Sequence, residues 1–142
     1  MSRAFVPRGL RNCNPGNIRR SAVRYKGECD DADADGFRRF ESMAYGYRAM
    51  FVLLHTYSVR YGCRSIADMI ARYAPPSEND TSAYVRRVAR AAGIEPHAAV
   101  DTRNGALMER VVCAMSAVEN GVPADVGEVR QGWEMFEQDM PK

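Results

Sequence analysis

From Ser42 onward the chain is a succession of apolar patterns at three- and four-residue spacing, each closed by a helix stop, and this restricts the fold more than any other feature. Tyr45, Ala49, Val52, Leu53, Thr56 and Tyr57 form one stripe, which predicts a helix from about Ser42 to Tyr61 with Gly62 as its stop. Ser65 is placed to cap a shorter helix through Ile66, Met69, Ile70 and Tyr73, which Pro75 and Pro76 end. Asp80 or Thr81 caps a third, with Tyr84, Val85, Val88 and Ala92 on one side and Arg86, Arg87 and Arg90 on the other, up to Gly93. A fourth is expected from about Asn104 to Asn120, with Leu107, Val111, Val112, Met115 and Val118 facing inward and Gly121 beyond its end. The last, near Asp125 to Asp139, presents Val126, Val129, Trp133 and Phe136. Five such helices without a linker or repeat predict an all-α fold in one domain over 1–142, helical across 42–139.

Ahead of the helices, Arg8 to about Gly36 is rich in Gly, Pro, Asn and Asp, so 1–36 reads as an irregular opening segment. Alternation at Ile18 to Tyr25 and around Phe37 to Phe40 allows a small hairpin, the one α+β element expected. Glu28, Asp30, Asp31, Asp33 and Asp35 read as a polar loop whose carboxylates stay hydrated and keep ordinary acidity.

The balance of residues removes several function classes. With 46% hydrophobic and 27% charged residues, 142 residues can bury a sizeable core. A net charge of +2 is too small to mark a nucleic-acid protein, and no nucleic acid is expected as a partner, although a helix-turn-helix-like reading of Ser65 to Tyr73 exists. No apolar run approaches the roughly 20 residues of a membrane span, so no membrane insertion is expected. The start MSRAFVPRGLR lacks the apolar segment and cleavage site of an export signal, which predicts a protein made in the cytoplasm. Cys13, Cys29, Cys63 and Cys113 form no closely spaced pair and read as reduced, mostly buried side chains. His55 and His97 have no partner at metal-ligand spacing, so neither a metal nor another cofactor is expected. The absence of a Gly-x-Ser-x-Gly pattern leaves acyl transfer without support.

Three stretches carry a resemblance, and together they reach from Arg8 to Gly121. RGLRNCNPGNIRR, residues 8–20, resembles the opening signature of a family of lysozyme-like proteins from phages and mobile elements, often described as virion structural proteins. FRRFESMAYGYRAMFVLLHTYSVRYG, residues 37–62, is similar to that family and, more distantly, to the helix preceding the substrate groove in soluble lytic transglycosylases. In ARYAPPSENDTSAYVRRV, residues 71–88, Glu78, Thr81, Tyr84 and Val85 look like an expanded form of the Glu-Thr-x-x-Tyr-Val signature of those transglycosylases.

The resemblance implies a lysozyme-like helical domain, acting as a monomer, whose groove holds peptidoglycan glycan strands. It implies a muralytic enzyme of the lysozyme or lytic transglycosylase type, virion-associated or released to the periplasm and cell wall. Such cleavage needs a proton donor at the glycosidic oxygen, and a Glu partly buried against apolar groups serves because desolvation keeps it protonated. One acid suffices for a transglycosylase, whereas a second carboxylate indicates hydrolysis. In the transglycosylases the catalytic Glu closes a helix lying before the segment that aligns with Asn12 to Arg19. Met1 to Arg11 contain no acid. Either a carboxylate on another element has the role, or the fold is kept as a non-catalytic peptidoglycan-binding or virion structural protein.

Two catalytic candidates follow. Glu78 sits on the turn after the prolines, and Glu41 at the entry of the first long helix beside Phe37 and Phe40; each also suits the positive N-terminal end of a helix. Asn14 and Asn17, with Asn12, can donate to and accept from the acetamido and hydroxyl groups of amino sugars, and also suit a tight turn around Pro15 and Gly16. Tyr25 and Tyr84, like Tyr73, can stack on sugar faces or fill a core, and Asn79 and Thr81 complete the expected substrate contacts. Arg19, Arg20, Arg38 and Arg39 can steer an anionic polymer or simply solubilise the surface.

Overall fold

The computed structural model describes residues 6–140, so the reading of the first five residues as carrying no export signal lies outside it. The elements run α1 (Arg8–Arg11), β1 (Glu28–Ala32), β2 (Arg38–Phe40), α2 (Met43–Tyr61), α3 (Ile66–Tyr73), α4 (Thr81–Ala92), α5 (Gly105–Asn120) and α6 (Val126–Asp139). The fold is mostly helical with one small hairpin, as the sequence predicts.

Each of the five long helices starts where a short polar side chain can satisfy a free backbone N–H. The Ser42 hydroxyl accepts from Tyr45 at 3.3 Å, Ser65 from Asp68 at 3.1 Å and Asn104 from Leu107 at 3.2 Å. Asp80, not Thr81, is the cap of α4, accepting from Ala83 at 3.1 Å. Asp125 accepts from Glu128 at 3.0 Å to start α6. Gly62, Gly93 and Gly121 end α2, α4 and α5 in the left-handed conformation with φ of 65°, 70° and 72°, which only glycine adopts without steric cost.

The opening segment differs in two places. Its first turn is helical, α1, entered from Pro7; four residues are too few to show a period. The hairpin pairs β2 with β1, Glu28 opposite Phe40 and Ala32 opposite Arg38, while the expected strand at Ile18 to Tyr25 contributes a single bridge between Arg19 and Phe37. Gly27, at φ 79°, turns the chain into β1, and its carbonyl accepts from Glu41 N–H at 2.8 Å. The Asp33 carboxylate closes the tip, accepting the N–H groups of Asp35 and Phe37 at 2.9 Å each.

The buried residues form one continuous cluster around α2, whose Tyr47, Met50, Phe51 and Leu54 are almost wholly inaccessible. The most extensive helix pairing is α2 on α6, where Trp133 meets Phe51 edge-on at 5.1 Å between ring centres. Met108, Val111, Val112 and Met115 of α5 and Tyr84, Val88 and Ala89 of α4 close the other side. Among the described residues no helix is long and apolar enough to cross a membrane.

The close approach of α6 to α2 depends on Gly132. A Cβ there would lie 2.8 Å from both the Arg48 backbone nitrogen and the Tyr47 Cβ, neither of which can swing aside. Gly132→Ala is therefore expected to destabilise the protein by about 1–3 kcal/mol despite the better helix propensity of alanine. Urea unfolding measures this; an unchanged midpoint would show that the two helices separate freely.

Candidate active site

The Asn-Pro-Gly-Asn turn, residues 14–17, packs against the C-terminal end of α5, and the sequence determines both sides of that junction. Asn14 is fully buried and gives its whole amide to the backbone: it donates to Ile18 O at 3.0 Å and Arg38 O at 2.9 Å, and accepts from Ile18 N–H at 3.0 Å. Gly16 lies where any Cβ would strike the Tyr73 hydroxyl, and that hydroxyl donates to the Gly16 carbonyl. Asn17 follows at φ 49°, a left-handed conformation that asparagine tolerates better than most residues. From α5, the Asn120 amide donates to Pro15 O and Ser116 O, both at 2.9 Å.

This packing carries Glu119, the residue before Asn120, to the turn. Its carboxylate accepts from the Asn17 amide at 3.0 Å and from the Tyr84 hydroxyl at 2.9 Å. Burial pushes the Glu119 carboxyl above the ordinary carboxylate range, and the two hydrogen bonds, which favour the anion, offset only part of the shift. Its position adds to this: Glu119 sits in the last turn of α5, at the negative end of the helix, with no basic residue there to compensate. Burial together with the neighbouring Glu119 charge also drives the Tyr84 phenol far above its usual value, so it remains a donor.

Glu119 lines a cleft of about 1180 Å³, together with Asn17, Tyr25, Arg38, Tyr73 and Glu78 among others. Asn17 Oδ1 and Asn120 Oδ1 are buried without a hydrogen-bond donor, the latter packed against Gly9 of α1. Among the described residues no cluster of His, Cys, Asp or Glu is able to hold a metal ion.

The other wall of the cleft is built on a buried charge pair. Arg38 bonds Glu28, whose side chain is completely inaccessible, and also donates to Arg19 O at 2.9 Å, Val23 O at 2.7 Å and Ser21 Oγ at 2.7 Å. Its guanidinium lies over the Tyr25 ring, 4.7 Å from the centre. The expectation of a hydrated Glu28 and a surface Arg38 is corrected: Arg38 of β2 and Glu28 at the start of β1 both turn inward and meet beneath the 19–24 loop. Asp33 likewise is no ordinary loop acid, since hydrogen bonds from the Phe37 backbone and Asn12 hold its carboxyl below the usual range. Asp30 and Asp31 are exposed, as expected.

The chain is similar to Protein P5 of Pseudoalteromonas phage PM2, with 39% identity over 132 residues that cover 89% of this chain and 80% of the relative. It belongs to the family of that phage protein. No protein-family model matches the chain.

In this member of the P5 family the candidates read from sequence fall in different places. Asn17, Tyr25, Glu78 and Asn79 line the cleft, Glu78 and Asn79 at an exposed edge. Tyr84 stands behind Glu119 as its donor, and Thr81 bonds Ala74 O at 2.6 Å at the start of α4. Asn14 holds the turn from within. Glu41 is exposed and outside the set of cleft residues. The sequence reading misses Glu119 and Asn120, taking Asn120-Gly121 only as a helix stop. The available signal is an acid placed against the macrodipole in the final turn of a helix, a local rule broken without local benefit.

Because the Arg38–Glu28 pair is shielded from water, removing Arg38 leaves a buried carboxylate with only the longer contacts to Arg20 at 3.7 Å and Arg24 at 3.8 Å. Arg38→Met is expected to cost about 3–5 kcal/mol, and adding Glu28→Gln to recover part of that loss. Denaturant unfolding of the two variants provides the check, and a single-variant cost below about 1 kcal/mol would mean that the pair is hydrated in solution.

Proposed function

We propose that this phage protein cleaves the glycan strand of peptidoglycan, as a lysozyme or lytic transglycosylase does, with Glu119 as general acid. One observation carries the reading: Glu119 is half-buried in the cleft, raised in pKa and fixed by two donors, whereas the other cleft carboxylate, Glu78, is exposed. The resemblance calls for a Glu closing a helix next to the Asn12 to Arg19 segment. Glu119 has that relation in space, although it follows the segment in the chain by 102 residues, counted from Asn17.

In this reading the protonated Glu119 gives its proton to the glycosidic oxygen as the bond to the muramyl anomeric carbon breaks. The muramyl C6 hydroxyl then closes on that carbon and returns its proton to the carboxylate, so that one residue is acid and then base. Glu78, exposed on the cleft edge, orients the strand rather than activating water, which favours the transglycosylase product, lighter than the hydrolytic one by one water. Asn79, exposed on the cleft edge beside Glu78, donates to and accepts from the acetamido and hydroxyl groups of the sugars.

The purified protein is expected to clear a peptidoglycan suspension and release anhydro-muropeptides detected by mass. Glu119→Gln should lower the rate by roughly 10²–10⁴-fold, with Glu41→Gln close to wild type. An active Glu119→Gln protein would end the assignment. The rate should fall as pH rises through the raised Glu119 value, because the acid must hold its proton.

Stability gives an independent readout with the opposite consequence. Glu119 binds its proton more tightly when folded than at the unfolded value of 4.5, so its contribution is present at low pH and is lost as pH rises. Glu119→Gln should therefore be more stable than wild type at neutral pH, and that margin should disappear below pH 4.5. Thermal unfolding across pH measures both.

A second reading, a virion protein that keeps the groove and only grips the wall, has in its favour the membership in a phage protein family. It expects sedimentation with insoluble peptidoglycan and no release of soluble fragments.

A further inference from the structure

The cleft does not stop at Tyr25. Past Tyr25, Leu53 and Tyr57, which line both spaces, it opens into a second chamber of about 870 Å³ between the 21–26 loop and the outer face of α2. Arg24, Lys26, Arg48, Arg60 and Arg72 line this chamber, and no Asp or Glu does. Some of that charge is answered from outside the lining: Asp139 bonds Lys26 and Arg48 at 3.1 Å each, and Arg24 faces Asp30 at 3.3 Å. Arg60 and Arg72 have no ion-pair partner among the described residues. Arg72 instead lies over Tyr61, 3.6 Å from the ring centre, and 5.3 Å from that of Tyr57, and the residue is still exposed, so its N–H groups remain able to bind. Beside it Val59 and Tyr61 are 65% and 53% exposed, an apolar shelf next to unanswered cations.

Unpaired cations beside exposed apolar groups are poorly matched to a neutral sugar and well matched to a short peptide carrying carboxylates and small aliphatic side chains. Peptidoglycan has such a peptide on every muramyl residue. We infer that the second chamber binds the acidic peptide stem of the strand while the glycan lies in the Glu119 cleft, an inference that rests on the glycan-cleaving reading above. Arg72, which lines both spaces, stands where glycan and stem diverge. Arg60 and Arg72 take the stem carboxylates, and Val59 and Tyr61 take its alanine methyl groups.

The test compares intact peptidoglycan with the same material stripped of its stems by an amidase. Wild-type protein is expected to show a higher kcat/KM on the peptide-bearing strands. In Arg60→Glu, a substitution at an exposed position of α2, that preference should shrink by about fivefold, and Arg60→Gln should shrink it less. Equal wild-type rates on the two substrates, or a preference unmoved in Arg60→Glu, would overturn the inference. If neither substrate is cleaved, the glycan-cleaving reading fails, and co-sedimentation then reads the chamber alone. Stronger retention on intact than on stripped material, reduced in Arg60→Glu, supports peptide binding; equal retention overturns it.

Discussion

The end of α5 and the turn at 14–17 are two segments distant in sequence that share three residues' worth of hydrogen bonds, and the cleft exists because they do. Asn120 reaches back to Pro15 O, Asn17 reaches forward to Glu119, and Tyr84 of α4 closes the set from beneath. None of these bonds is strong by itself; a hydrogen bond contributes about 1 kcal/mol net, more when one partner is charged. Their effect lies in geometry. They hold a half-buried carboxylate at a place where the helix dipole already disfavours its charge, and the surrounding core, through Met115 and Tyr47, leaves that helix end little room to move.

The opposite wall solves a different problem. Residues 19–27 have almost no regular structure and few apolar anchors, so ordinary burial cannot fix them. Arg38 does so by spending its donors on the backbone of Arg19 and Val23, on Ser21 and on Glu28, and by covering Tyr25. A buried ion pair is a poor source of stability but a good source of uniqueness here, because only one loop conformation satisfies every donor. The Glu119 side of the cleft and the wall opposite are thus held by separate sets of interactions.

Much of the helical frame is legible in the residues themselves. Periodicity, the Ser, Asp and Asn caps and the three glycine stops are local signals, and local signals survive the loss of tertiary information. The hairpin is less so: alternation at Ile18 to Tyr25 suggests a strand, yet the pairing is decided by Gly27 and by the Asp33 turn, which move the strand to Glu28–Ala32. Burial of Glu28 is illegible, since a Glu among aspartates looks solvated until Arg38 is known to face it. The cleft residues divide in the same way. Asn17 and Tyr25 stand out by type, whereas Glu119 looks like any polar residue near a helix end.

The acid that meets the 14–17 turn comes from the far end of the chain. In the glycan-cleaving reading proposed above the proton donor is expected before Asn12, and that stretch is empty of carboxylates. Chemistry has no access to chain order; a glycosidic oxygen meets only what lies within reach of it, and unrelated folds arrange the same catalytic groups in different sequence orders. A helix supplying the acid from the far side of the sequence is equivalent to one supplying it from the near side, provided its end is pinned to the same turn. Here the pin is Asn120, adjacent to Glu119, the acid of the proposed mechanism. A chain with that pin retains the spatial relation however its segments are ordered, and for this reason an acid next to a helix-terminal Asn-Gly carries more information than its place along the sequence.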